Sequence, residues 1–122
     1  MQKFILLLAL LFGYSLMAHA DDVSIDVNSN NKNFTVSLNA NPTTGYQWKV
    51  VSFDKGLLTL SGSQYQKPNN KLIGAGGKML FTFTLNKGKT YPAKTDMVFK
   101  YARPWEDKGG TVQKVTVNFE TQ

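Results

Sequence analysis

Met79, Phe81, Phe83 and Leu85 stand at every second position. That spacing places all four on one face of an extended chain and scatters them around a helix. The same period returns in Val23, Ile25 and Val27, in Phe34, Val36 and Leu38, in Tyr46, Trp48 and Val50, in Met97, Phe99 and Tyr101, and in Val115, Val117 and Phe119. Leu58, Leu60 and Tyr65 form a less regular piece. The runs are separated by NSNNKN, NPTTG, KPNNKLIGAGG, NKGKTYPAK and ARPWEDKGG, segments rich in the residues that turn a chain. No three-turn amphipathic helix and no repeat interrupts them. About seven strands in roughly 100 residues predict an all-β, immunoglobulin-like antiparallel β-sandwich. Trp48 falls on the third strand, where such folds often bury a tryptophan, so its expected place is the core.

The first twenty residues are of another kind. Lys3 supplies a positive start, FILLLALLF is an apolar run too short to span a bilayer, and Ala18-His19-Ala20 has the small-x-small form of a signal peptidase site. Residues 1–20 are therefore expected to be a cleaved signal peptide, and residues 21–122 the domain. The product would be exported, to a periplasm or the medium, or to an endomembrane or lysosomal compartment in a eukaryote. It would keep no membrane attachment after cleavage. A monomer is expected, because no strong apolar stripe faces outward.

The chain has no cysteine and one histidine, His19, which lies in the leader. The sandwich must hold by packing, without a disulfide. A domain of residues 21–122 is long enough for that, since small scaffolds need staples below about 70–80 residues. The same absences exclude a Ser-His-Asp triad, a Cys-His pair and zinc held by His or Cys within residues 21–122. The few acids fall singly or as sequence neighbours that point to opposite faces of a strand, so an enzyme is not expected. No cofactor is expected either. The formal charge is +6, but the lysines are scattered without a run, which reads as a solvated basic surface and not as a nucleic-acid site. Asn33-Phe34-Thr35 fits a glycosylation sequon, relevant only in a host that glycosylates.

In an antiparallel sandwich alternate connections fall at the same end. The second, fourth and sixth connections carry NPTTG, Gly74-Ala75-Gly76-Gly77 and Arg103-Pro104-Trp105. All three should meet at one end, a familiar binding surface. In NPTTG, Pro42 fixes its own φ and keeps Asn41 extended, while Gly45 permits positive φ. Thr43 and Thr44 are stiff at χ1 and held between them. Such a loop serves equally as a hairpin turn or as a rigid binding element. The glycine segment is not a phosphate loop, since no Lys-Ser/Thr pair follows it. It reads as a flexible link or as backbone offered to a partner's extended segment. Trp105 lies in a polar loop with no evident core to fill, and Trp and Arg are enriched in interface hot spots. It could equally fold back over the end of the sandwich.

The ordered set NPTTG, GAGG before an alternating strand, and RPWE after Tyr101 resembles the chagasin family of cysteine peptidase inhibitors over essentially the whole of residues 21–122. The resemblance implies reversible, non-covalent inhibition of papain-like cysteine peptidases. It implies that the loop of Asn41, Pro42, Thr43, Thr44, Gly45 and Tyr46 enters the active-site cleft. Gly74, Ala75, Gly76 and Gly77 would flank it with main-chain contacts. Arg103, Pro104 and Trp105 would flank the other side, with Trp105 against aromatic residues near the catalytic histidine. Without the resemblance, a secreted binding module for carbohydrate or a surface protein would suit the same loop end or a sheet face.

Overall fold

The computed structural model describes residues 18–19, 22–68, 76–106 and 109–120. Most of the expected leader lies outside these residues, as do Gly74 and Ala75. The strands are β1 (Ala18–His19), β2 (Val23–Asn28), β3 (Asn33–Ala40), β4 (Gln47–Ser52), β5 (Leu58–Gln66), β6 (Gly77–Leu85), β7 (Lys94–Ala102) and β8 (Thr111–Glu120). The one helical piece among the described residues is a 3-10 turn at Pro42–Thr44. No helix among them is long and apolar enough to cross a membrane.

The strands form two sheets. In one, β8 pairs with β7 and β7 with β4, while β1 and β2 run along the other side of β8. In the other, β6 lies between β3 and β5. The fold is thus the expected all-β sandwich, with one difference. Pairing is antiparallel except along β8, where β1 and β2 run parallel to it. The six reversals from β2 to β8 bring the chain back to its first direction, so the first and last long strands can only meet side by side in parallel.

Each sheet buries one face, which is why spacing by two was so regular. The wholly buried side chains include Phe83 on β6, Met97 and Phe99 on β7, and Val115 and Val117 on β8. Phe99 joins the sheets: its ring lies 5.3 Å from Phe81 and meets Phe83 edge-on at 6.3 Å. Burying one such ring contributes up to about 3 kcal/mol. Trp48 is only partly buried, packed against the end of this core, with its indole N–H donating to the Asn39 carbonyl at 2.8 Å. The outer strands β4 and β5 each carry a register shift, at Val51 and Ser61, and such bulges blunt an edge against further pairing.

Two register pairs fix the end at which the long loops lie. Ala40, closing β3, is opposite Gly77, opening β6, and Gln47, opening β4, is opposite Ala102, closing β7. The links after β3, β5 and β7 therefore share one end. At the other end, Asn86 ties the links together. Its amide N–H groups donate to the carbonyls of Lys55 and Gly56, and its side-chain oxygen accepts from Thr59. Tyr91 donates to the carbonyls of Asn86 and Leu57, and its ring packs 5.0 Å from Phe119. Burial pushes the Tyr91 phenol above its ordinary value.

Candidate functional site

The loop between β3 and β4 is built almost wholly from its own hydrogen bonds. Asn41 is extended (φ −136°, ψ 92°) and caps the Pro42–Thr44 turn. Its side-chain oxygen accepts from the Thr43 backbone N–H at 3.2 Å and from the Thr43 hydroxyl at 2.6 Å. Proline in the first turn lacks the N–H that would otherwise need a partner. The Thr44 hydroxyl donates to the Asn41 carbonyl at 2.7 Å and accepts from the Tyr46 N–H at 3.4 Å. The backbone closes with Thr44 N–H to the Asn41 carbonyl (3.2 Å) and Gly45 N–H to the Pro42 carbonyl (3.0 Å). Both threonine hydroxyl hydrogens are thus engaged inside the loop, while Pro42, Thr43 and Thr44 remain exposed.

Gly45 ends the turn with φ +82°, a conformation costly for any residue with a Cβ. A second constraint acts at the same position. A Cβ there would lie 2.6 Å from the ring of Trp105. The Trp105 ring therefore covers Gly45 and still stands 70% exposed. The ring folds back onto the first loop, and most of its surface faces solvent.

Arg103 binds the same two loops. Its Nε–H donates to the Thr44 carbonyl at 3.2 Å, and its guanidinium lies 4.7 Å from the centre of the Tyr46 ring. Glu106 accepts from it at 3.0 Å and raises its pKa. This exposed pair orients the guanidinium and contributes little to stability. Pro104, between them, is exposed. Tyr46, expected at the head of the third strand, belongs instead to the loop: β4 begins at Gln47. Tyr46 and Trp48 nonetheless keep the same side, since both rings pack on Tyr101. The Tyr46 ring rests against Tyr101 at 5.2 Å.

The glycine segment is described from Gly76 onward. Gly76 lies beside the first loop, where a Cβ would be 3.1 Å from the Ala40 carbonyl and 3.6 Å from the Asn41 side chain. Gly77 has an internal reason to be glycine. A Cβ there would meet the Gln66 carbonyl and the Tyr65 hydroxyl of the neighbouring strand, at 2.1 and 2.7 Å. At this position the close approach is made by β5 of the same chain.

Sequence reasoning passed over Tyr101, which it read as the last inward residue of β7. Tyr101 accepts the Asn41 backbone N–H at 2.9 Å and stacks on Trp48 at 4.8 Å. The available signal was an aromatic two residues before Arg103. The described site residues hold no arrangement for covalent chemistry. Among the described residues no three of His, Cys, Asp and Glu gather to hold a metal ion. What the end offers is a preformed exposed ridge running from Pro42 through Thr44 to Trp105, with the backbone of Gly76 beside it.

Comparison with known proteins gives this surface a context. The sequence matches the model of the chagasin family of peptidase inhibitors (I42) over residues 28–119. It is 30% identical over 87 residues to chagasin of Trypanosoma cruzi, covering 67% of this chain and 74% of that protein. Among solved structures, the fold is similar to the crystal structure of the cysteine protease inhibitor EhICP2 from Entamoeba histolytica, with a TM-score of 0.59, 17% identity, and coverage of 86% of this chain and 95% of that one. It is also similar to the solution structure of amebosin, with a TM-score of 0.52, 25% identity, and coverage of 87% and 99%. The family match spans all three loops and most of both sheets, so the chain belongs to the chagasin family of peptidase inhibitors.

Proposed function

We propose that this protein is a reversible inhibitor of papain-like cysteine peptidases, acting without a covalent step. Residues 41–46 enter the active-site cleft with Thr43 and Thr44 over the catalytic cysteine. Gly74 to Gly77 and Arg103 to Trp105 take the two flanks. The observation that carries this reading is the self-bonded Pro42–Thr44 turn with Trp105 laid on Gly45. A surface already fixed loses little entropy on docking. The similarity to chagasin and to inhibitors of cysteine proteases supports the choice of partner.

The same geometry explains how a loop lying over an attacking thiolate survives. Acyl transfer needs the carbonyl oxygen to move into a set of waiting donors as charge develops on it. The carbonyl oxygens of Asn41, Pro42 and Thr44 already accept bonds within the protein, from Thr44 and its hydroxyl, from Gly45 and from Arg103. Moving these carbonyls into an oxyanion hole would cost bonds of the turn at Asn41 and Pro42 and the Arg103 bond at Thr44. The domain acts as an exported monomer once residues 1–20 are removed.

The deciding experiment is a titration of active papain with the purified domain, following hydrolysis of a fluorogenic peptide. Activity should fall near-stoichiometrically and return when the complex is diluted. An unchanged rate at equimolar protein overturns the proposal.

A further inference from the structure

Tyr101 makes contact with both ends of the loop between β3 and β4. Its hydroxyl oxygen accepts the backbone N–H of Asn41, the first residue of the loop, at 2.9 Å. Its ring carries the ring of Tyr46, the last, at 5.2 Å. On its other contact it stacks on Trp48 at 4.8 Å with 30° between the planes, and Trp48 is in turn bonded through its indole N–H to Asn39. Register gives the stack a rigid base, because Trp48 and Tyr101 are cross-strand partners in the β4–β7 pair. Two residues further on, Arg103 reaches the Thr44 carbonyl and the face of Tyr46. The Tyr101 side chain thus joins the root of the first loop to its exit, two residues before the third loop adds its own tie through Arg103.

The internal bonds of residues 41–45 settle the shape of the turn but not its position on the sandwich. The Trp48 bond to Asn39 joins the two sheets at the end of β3, and the Asn41 N–H to Tyr101 bond extends that tie to the first residue of the loop itself, because β3 belongs to one sheet and β4 and β7 to the other. We propose that Tyr101 is a positioning residue for inhibition: it holds the first loop in register with the third, and without its hydroxyl the loop is admitted to the cleft in poses that can be cut. This inference rests on the inhibitor reading above and deepens it.

Tyr91 supplies a matched control. It too is a partly buried tyrosine whose hydroxyl bonds to backbone, but at the opposite end of the sandwich. Tyr101→Phe and Tyr91→Phe each remove one oxygen and keep a ring. Three measurements are made on wild type and both variants: the inhibition constant against papain, the mass of the inhibitor after prolonged incubation with excess papain, and amide hydrogen exchange. Tyr101→Phe should raise the inhibition constant about fivefold, equivalent to about 1 kcal/mol for one hydrogen bond. It should also yield fragments cut between residues 41 and 46, and it should speed exchange of the Asn41 amide by a similar factor. Tyr91→Phe should leave all three at wild-type values even where it lowers thermal stability. If Tyr101→Phe inhibits and resists cutting like wild type, the positioning role is overturned. It is equally overturned if the two variants lose inhibition in parallel with stability. Should wild type itself fail to inhibit papain, the functional reading fails alone, and Asn41 exchange still decides whether Tyr101 holds the loop.

Discussion

The two ends of the sandwich are built to similar rigidity with opposite surfaces. At the far end, Asn86 and Tyr91 bond to neighbouring backbone, and the links there carry no large exposed apolar side chain. At the near end, the turn of residues 41–45 is just as fully bonded, yet it presents Pro42, Thr43 and Thr44 to solvent beside a tryptophan that is 70% exposed. Rigidity alone therefore does not mark a binding surface. The far end exposes Val51 near the close of β4, but the near end sets a self-bonded turn beside the much larger exposed ring of Trp105, a combination that costs solubility and yields little unless a partner covers it.

The sharpest way to break that comparison is to place a side chain at equivalent glycines of the two ends. Gly45 and Gly88 both have positive φ, +82° and +74°, but a Cβ at Gly88 meets nothing within 4 Å, whereas one at Gly45 strikes Trp105. Gly45→Val should weaken inhibition of papain about a hundredfold or more, the scale of a lost hot spot. Gly88→Ala should cost only about 1–2 kcal/mol of stability in a urea melt, with inhibition unchanged. Equal losses of inhibition would show that the ends are not functionally distinct.

A smaller effect follows from removing the exposed ring itself. Trp105→Ala should weaken inhibition about thirtyfold, corresponding to about 2 kcal/mol. Its effect on unfolding free energy should stay within about 0.5 kcal/mol, as for most surface changes. A large fall in stability with intact inhibition would assign Trp105 to the fold instead of the partner.

Alkaline pH gives the smallest expected effect and tests the far end. Because burial raises the Tyr91 phenol above its ordinary 10.0, the folded state favours the neutral form. Its contribution to stability is complete below about pH 10 and declines as pH rises through the elevated value. Urea melts between about pH 9 and about pH 11 should therefore show a shallower loss of stability in Tyr91→Phe than in wild type. Identical slopes would remove Tyr91 as the cause.

The strands were legible in the sequence because each sheet has one buried face, so residues such as Phe81, Phe83 and Phe99 repeat at the pitch of the backbone. Alternation carries no information about which strands become neighbours, and the parallel pairing of β2 with β8 had no local sign. The turn chemistry of Pro42 and Gly45 was also legible, being set by the residues themselves. Three features depend on contacts between distant segments and were hidden for that reason. Tyr46 lies just ahead of β4, and its packing on Tyr101 and under Arg103 belongs to the loop end. Gly77 owes its lack of side chain to Gln66 and Tyr65 across the sheet. Tyr101 occupies an inward position like that of Phe99, and only its meeting with Asn41 sets it apart.

The direction of β2 has a practical consequence. Because β2 runs parallel to β8, and β8 leaves the third loop at Thr111, the chain enters β2 from the side of the three loops and leaves β8 toward the opposite end. Val23 pairs with Val115, midway along β8, so about 17 Å separates the start of β2 from Glu120 at about 3.3 Å per residue. A segment ahead of Val23 runs along β8 toward the three loops, as Ala18 and His19 do opposite Thr111 and Val112. A tag, dye or surface tether added after Glu120 would stand at the opposite end of β8 from the three loops and leave them unobstructed.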